Sequence, residues 1–155
     1  MAFAPSVITG PTGVTGLTNP TWTFTSDSVA PLPNSKQYAV TAIGGTQTGV
    51  GVHTIGNPFY ARFTKPAIYK ILANPNVSGV IKAFPKNYYE LLTVKGVLPL
   101  ANQPIQQFPI RTSFGLPAGA DVADPVVVAA AIASHAALLW QLAEELRKSV
   151  LTGIV

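Results

Sequence analysis

The chain has 155 residues, of which 48% are hydrophobic and only 10% charged, and it contains no cysteine. That length suits a single domain, 1–155, and the missing cysteines exclude disulfides and thiolate metal sites. Typical soluble domains carry about 25% charged residues, so much of this surface is expected to be hidden in an assembly. The net charge of +4 is unevenly spread: Lys36, Arg62, Lys65, Lys70, Lys82, Lys86, Lys95 and Arg111 share their stretch with one acid, Glu90. A basic middle between nearly neutral flanks fits either a polyanion partner or a mildly basic surface.

The N-terminus, "MAFAPSVITG", has no basic region followed by a long apolar run, so no secretory signal is expected and synthesis in the cytoplasm is. Residues 1–20 place Gly10, Gly13 and Gly16 three apart, far too few for a collagen repeat, and read as a flexible arm or an irregular strand. "TWTFTSD" (21–27) alternates Trp22 and Phe24 with threonine, the pattern of a half-buried strand. "SVAPLPNS" (28–35) reads as a loop, "KQYAVTAIGG" as a second strand, and "TQTGVGVHTIGNP" as a hairpin or long connection. "FYARFTKPAIYKIL" is one strand broken at Pro66, or two, and "GVIKAF" (79–84) is a further candidate.

Two clearer strands follow, at 88–99 and 107–117. In the second, Phe108, Ile110, Thr112, Phe114 and Leu116 fall on one face, and Pro109, Arg111, Ser113 and Gly115 on the other. Such a strand belongs to an antiparallel sheet covered on one side, so 21–117 is assigned to antiparallel strands. Region 121–152 is helical, with Asp124 or Asp121 as N-cap and Pro125 in the first turn. Val128, Ile132, His135, Leu139, Leu142, Leu146 and Val150 form one stripe. Ala129, Ala130, Ala133 and Ala137 make another side small rather than charged, which suits a helix held between a sheet and another chain. A membrane span is the less favoured reading, because about 19 residues separate the bracketing acids and the flanks are not basic.

Catalytic chemistry finds no support. His53 and His135 are too few for a zinc site, no nucleotide-binding or nucleophile motif occurs, and six scattered acids offer no acid–base pair. Neither an enzyme activity nor a cofactor, metal or small-molecule substrate is expected. Tyr88, Tyr89, Trp22 and Trp140 would more ordinarily pack in a core than stack on bases.

An N-terminal hairpin and antiparallel strands, then "VKGVLP", a loop, "FPIRTSFGLP" and "AGADVADPVVVAAAIASHAALL", together resemble the coat proteins of single-stranded RNA bacteriophages (levivirus-like). The likeness is best from about Tyr88 onward and architectural before it. It implies an α+β fold with an N-terminal β-hairpin, a five-stranded antiparallel sheet and one or two C-terminal helices. Two chains would interlock into a dimer with a ten-stranded sheet, each covering the other's sheet with its helices. The partners implied are other copies, building an icosahedral shell, and single-stranded genomic RNA on the bare inner face, including a stem-loop bound for translational repression. A virion protein made in the host bacterial cytoplasm follows; a dimeric RNA-binding module without a shell is the alternative.

Strand alternation then proposes sites. Arg111 and Ser113 point away from the helices; assigning Leu92, Val94 and Leu98 to the helix side leaves Leu91, Thr93 and Lys95 with Arg111. Thr93, Lys95, Arg111 and Ser113 are thus the candidate RNA contacts. Leu139, Leu142 and Leu146 are the candidate dimer interface. The uncharged loop "LANQPIQ" (100–106), with Asn102 and Gln106, corresponds to the loop that the resemblance implies gathers at the shell's symmetry axes.

Overall fold

The computed structural model describes residues 3–27 and 32–154. Six strands form one antiparallel sheet in the order of the chain: β1 (Val7–Thr9), β2 (Thr18–Asp27), β3 (Ser35–Thr46), β4 (Phe59–Thr64), β5 (Lys86–Val97) and β6 (Gln106–Pro117). Helices α1 (Ala120–Ala123), α2 (Pro125–Gln141) and α3 (Ala143–Thr152) follow. The N-terminal stretch therefore adds a sixth strand to the sheet edge, where five strands and a separate hairpin were expected. The start of the 28–35 loop lies outside the described residues; its later part turns through the Ser35 N–H bonded to the Leu32 carbonyl at 3.0 Å.

Two strand expectations fail for a shared reason. Residues 65–85 contain neither a continuation of β4 nor a strand at 79–84. Pro66, Pro75 and Pro85 interrupt backbone pairing there, and β4 and β5 already pair with each other directly. The longest ladder, β5–β6, runs in unbroken register from Lys86↔Pro117 to Val97↔Gln106.

Directly opposed residues share a face, so register separates the two sides of the sheet. On one side Phe63, Tyr89 and Phe114 stack, with ring centroids 5.8–6.5 Å apart. Phe3 lies at 5.4 Å from Phe63 and edge-on to Tyr38. Val127, Val128, Ala131 and Ile132 of α2 face this cluster across a cavity of about 440 Å³. The opposite side is polar. Thr25 and Thr41 hydroxyls meet at 2.8 Å, Ser35 and Thr64 at 2.8 Å, and Gln37 Nε2 donates to Asp27 Oδ2 at 2.8 Å.

The helical region is broken where no Gly or Pro marks a break. Leu142, at φ −95° and ψ 17°, separates α2 from α3, whose axes differ by 60°. Pro125 opens α2, with Asp124 preceding it but making no side-chain capping bond. Gly153, at φ 71°, ends α3. Among the described residues no single helix is long and apolar enough to cross a membrane.

Few apolar side chains are buried: Pro20, Ala39, Val40, Ala61, Leu92, Val94 and Ala118 among the described residues. Not one residue of α2 is buried, although the helix is apolar on nearly every side. A helix of that kind is stable only when covered. The single chain thus presents an unfinished core.

Candidate assembly and nucleic-acid surfaces

The helix-side face is complete at one end and open at the other. α2 stands over Phe63, Tyr89, Phe114 and Leu116, whereas Phe108 and Ile110, farther along β6, are exposed. Burial raises the Tyr89 hydroxyl above its ordinary value, helped by the neighbouring Tyr69 hydroxyl and by the Asp121 charge. Leu139, Leu142 and Leu146 are all exposed, between 44% and 47%. Leu142 also forms the break between α2 and α3, a role its place in the apolar stripe does not reveal.

The four candidate RNA contacts do not form one group. Arg111 pairs with Leu92 and Ser113 with Glu90, on the polar face. Thr93 pairs with Ile110 and Lys95 with Phe108, on the helix side. The expected grouping of Thr93 and Lys95 with Arg111 is therefore corrected: β5 has the opposite phase. Lys95 turns toward the 47–58 connection, where its Nζ donates to Asn57 Oδ1 at 2.7 Å and stands 5.2 Å from the Phe59 ring centre. Burial holds the Lys95 ammonium below its usual pKa.

The polar face gathers groups that the sequence did not single out together. Register places Arg62, Lys86 and Tyr88 there with Arg111, Ser113, Glu90 and Tyr60. Arg62 makes no ion pair among the described residues, and its buried Nε has no hydrogen-bond partner. Arg111 Nη1 lies 3.5 Å from Glu90 Oε2 in an exposed pair. Tyr88 is exposed and lies across Gly115, where a Cβ would come within 2.8 Å of its ring. Glycine at 115 thus lets an aromatic ring lie flat on the sheet, its outer face available for stacking. His53 extends this side: its ring is 6.1 Å from that of Tyr60, and its Nδ1 accepts the Phe59 N–H at 3.0 Å. Three cations against Asp27 and Glu90 leave the strand surface only mildly basic.

Two features bound these faces. β6 pairs with β5 along one edge, and its other edge is open for twelve residues. Pro109 within it lacks a backbone N–H, so one position of β6 has no donor to offer a pairing strand. The loop from Leu98 to Ile105 is exposed and uncharged; Gln103 N–H bonds to the Leu100 carbonyl at 3.1 Å, and Asn102 takes a left-handed φ of 65°. Asparagine suits that backbone. Gln106, exposed, opens β6, its side chain donating to the Pro104 carbonyl at 3.4 Å.

A one-sided antiparallel sheet, an open strand edge and uncovered apolar helices define a protein made to assemble with copies of itself. Neither a family model nor a curated protein matches the chain. Among solved structures, it is similar to a chain described as "Virus-like particle of bacteriophage ESE020", with 42% identity and a TM-score of 0.93. The match covers 99% of this chain and 100% of that one. The chain belongs to the bacteriophage capsid proteins, a structural rather than an enzymatic family.

Proposed function

We propose that this protein is the coat protein of a single-stranded RNA bacteriophage, which dimerises, assembles into an icosahedral shell and encloses RNA against the polar face of its sheet. The unfinished core carries this reading: no residue of α2 is buried, and Phe108 and Ile110 lie uncovered beside the open β6 edge. Two copies joined along β6 would make one sheet of twelve strands, each chain contributing six, rather than the ten expected. The helices of each copy, with Leu139, Leu142 and Leu146, would cover the other's apolar face. Burying apolar surface contributes about 25 cal/mol per Å², so this covering is the main drive to dimerise.

RNA is supported by the order of motifs that resembles the RNA-phage coat proteins and by the other face's chemistry. Arg62, Lys86 and Arg111 can meet phosphates, Ser113 can donate a hydrogen bond, and Tyr88 can stack on a base. A stem-loop held for translational repression would use this same face. The uncharged 98–105 loop allows several copies to approach around an axis. Expression of the chain alone in bacteria, followed by size-exclusion chromatography, electron microscopy and nuclease treatment, tests the proposal. Closed particles holding nuclease-protected RNA are expected. Stable dimers that bind RNA but never close into particles would replace the shell with a soluble RNA-binding module.

A further inference from the structure

The connection from Lys65 to Pro85 is long, has no regular structure, and is nevertheless fixed at both ends. At its stem, the Lys65 N–H donates to the Asn34 carbonyl at 3.0 Å. Buried Asn87 holds both backbone groups of Lys70: its Oδ1 accepts the Lys70 N–H at 2.8 Å, and its Nδ2 donates to the Lys70 carbonyl at 3.0 Å. The Ala118 N–H donates to the Pro85 carbonyl at 2.8 Å. At its tip, Asn76 Oδ1 accepts the backbone N–H groups of Ser78 and Val80 at 3.0 and 2.9 Å, which locks a turn.

This ordered arm turns its largest apolar groups to water. Ile68 is 85% exposed, Ile71 83% and Val77 108%, and Val80 and Phe84 are more than half exposed. Lys65, Lys70, Lys82 and Lys86 accompany them, and no acid occurs between Lys65 and Tyr89. The complementary chemistry lies on the same chain, at the α1–α2 turn. There, exposed Asp121 and Asp124 flank exposed Val122, with Val126 beyond.

We propose that the arm of one copy docks on the Asp121–Val126 turn of a second copy in a neighbouring dimer, its lysines against the aspartates and its apolar side chains over the valines. This rests on the shell reading above. Asn76 lies six residues beyond Lys70, allowing a reach of up to about 20 Å from the stem, enough to carry the tip to another molecule. The stem lies toward the helices: Tyr69 lies beside Tyr89, and Leu72 packs beside Gly119. That position points the arm away from the polar face, toward protein rather than RNA. Because donor arm and acceptor turn are different surfaces, the contact is heterologous and suits a repeated link between dimers.

The test compares particle yield and dimer content of full-length variants with wild type. Lys70→Glu/Lys82→Glu should keep the wild-type circular dichroism and dimer while lowering particle yield at least tenfold. Adding Asp121→Lys/Asp124→Lys should restore particles by reversing both charges. Val77→Asp, at a side chain with no neighbour in the chain, should lower the yield independently, and it decides the matter if the lysine variant misfolds. Unchanged yield and particle melting temperature for Val77→Asp would overturn the proposal. So would loss of the dimer itself, or normal particles with reduced RNA, which would place the arm on the RNA side. A double reversal that stays unassembled would overturn the aspartates as acceptors. Wild-type chains that never form particles would instead defeat the shell reading.

Discussion

Lys95 and Arg111 sit on neighbouring strands but opposite faces of the sheet, and this decides what each contributes. Lys95 bonds to Asn57 and lies over Phe59, so its loss removes one charge-assisted hydrogen bond and a cation–π contact. Lys95→Ala should lower stability by about 1–2 kcal/mol in urea unfolding and leave packaged RNA unchanged. Arg111→Ala should do the reverse: its pair with Glu90 is exposed, so stability should move by less than about 0.5 kcal/mol while RNA per particle falls. Absorbance ratios of purified particles measure the second effect. The sequence could not supply this distinction because β5 is apolar in both phases. Leu92 and Val94 occupy one face, Tyr89 and Leu91 the other, and only register with β6 tells them apart. β6 itself alternates cleanly, and its helix-side assignment of Phe114 and Leu116 agrees with the residues facing α2.

Strands and helices show the same division between legible and hidden. β2 and β6 are marked by alternation, and β3 and β5 by apolar runs bounded by Gly, Pro and Asn, whereas the break at Leu142 depends on backbone torsions with no residue signal. Leu142→Asp would place a carboxylate on a surface that the dimer reading covers. An unpaired buried charge costs several kcal/mol, so monomers should replace dimers in light scattering. α3 is fastened separately, through a carboxylate the sequence did not mark. Glu144 accepts the Thr15 N–H and hydroxyl, each at 3.0 Å, and two bonds from Arg147 at 2.7 and 2.8 Å. Arg147 first, then the Thr15 N–H, hold this carboxyl far below its ordinary 4.5. A depressed folded pKa stabilises the folded state fully above the unfolded value and loses that contribution as pH falls through the folded one. Glu144→Gln should therefore melt earlier at pH 7 and show a flatter decline in melting temperature below about pH 4.5. Thermal scans across pH 7 to 2 check both parts.

For the whole molecule, weak local charge must be reconciled with the proposed enclosure of a polyanion. The polar face sets Arg62, Lys86 and Arg111 against Asp27 and Glu90, and Glu90 sits 3.5 Å from Arg111. An isolated dimer would therefore hold RNA loosely, and retention would depend on many dimers engaging one strand inside a closed shell. Glu90 is the residue through which this balance can be shifted. Glu90→Gln removes a negative charge from the face and releases Arg111 to meet a phosphate, while the exposed ion pair it breaks contributes little to folding. Each phosphate contact adds about 0.7 to the salt slope on single-stranded RNA. The variant dimer should thus bind RNA several-fold more tightly at low salt, with a slope steeper by up to about 1.4 for the two chains of a dimer. Fluorescence anisotropy across a salt series reads both numbers. Equal affinity and an unchanged slope would mean that RNA does not meet the β5–β6 surface, and the polar face would lose its assigned role even if particles still form.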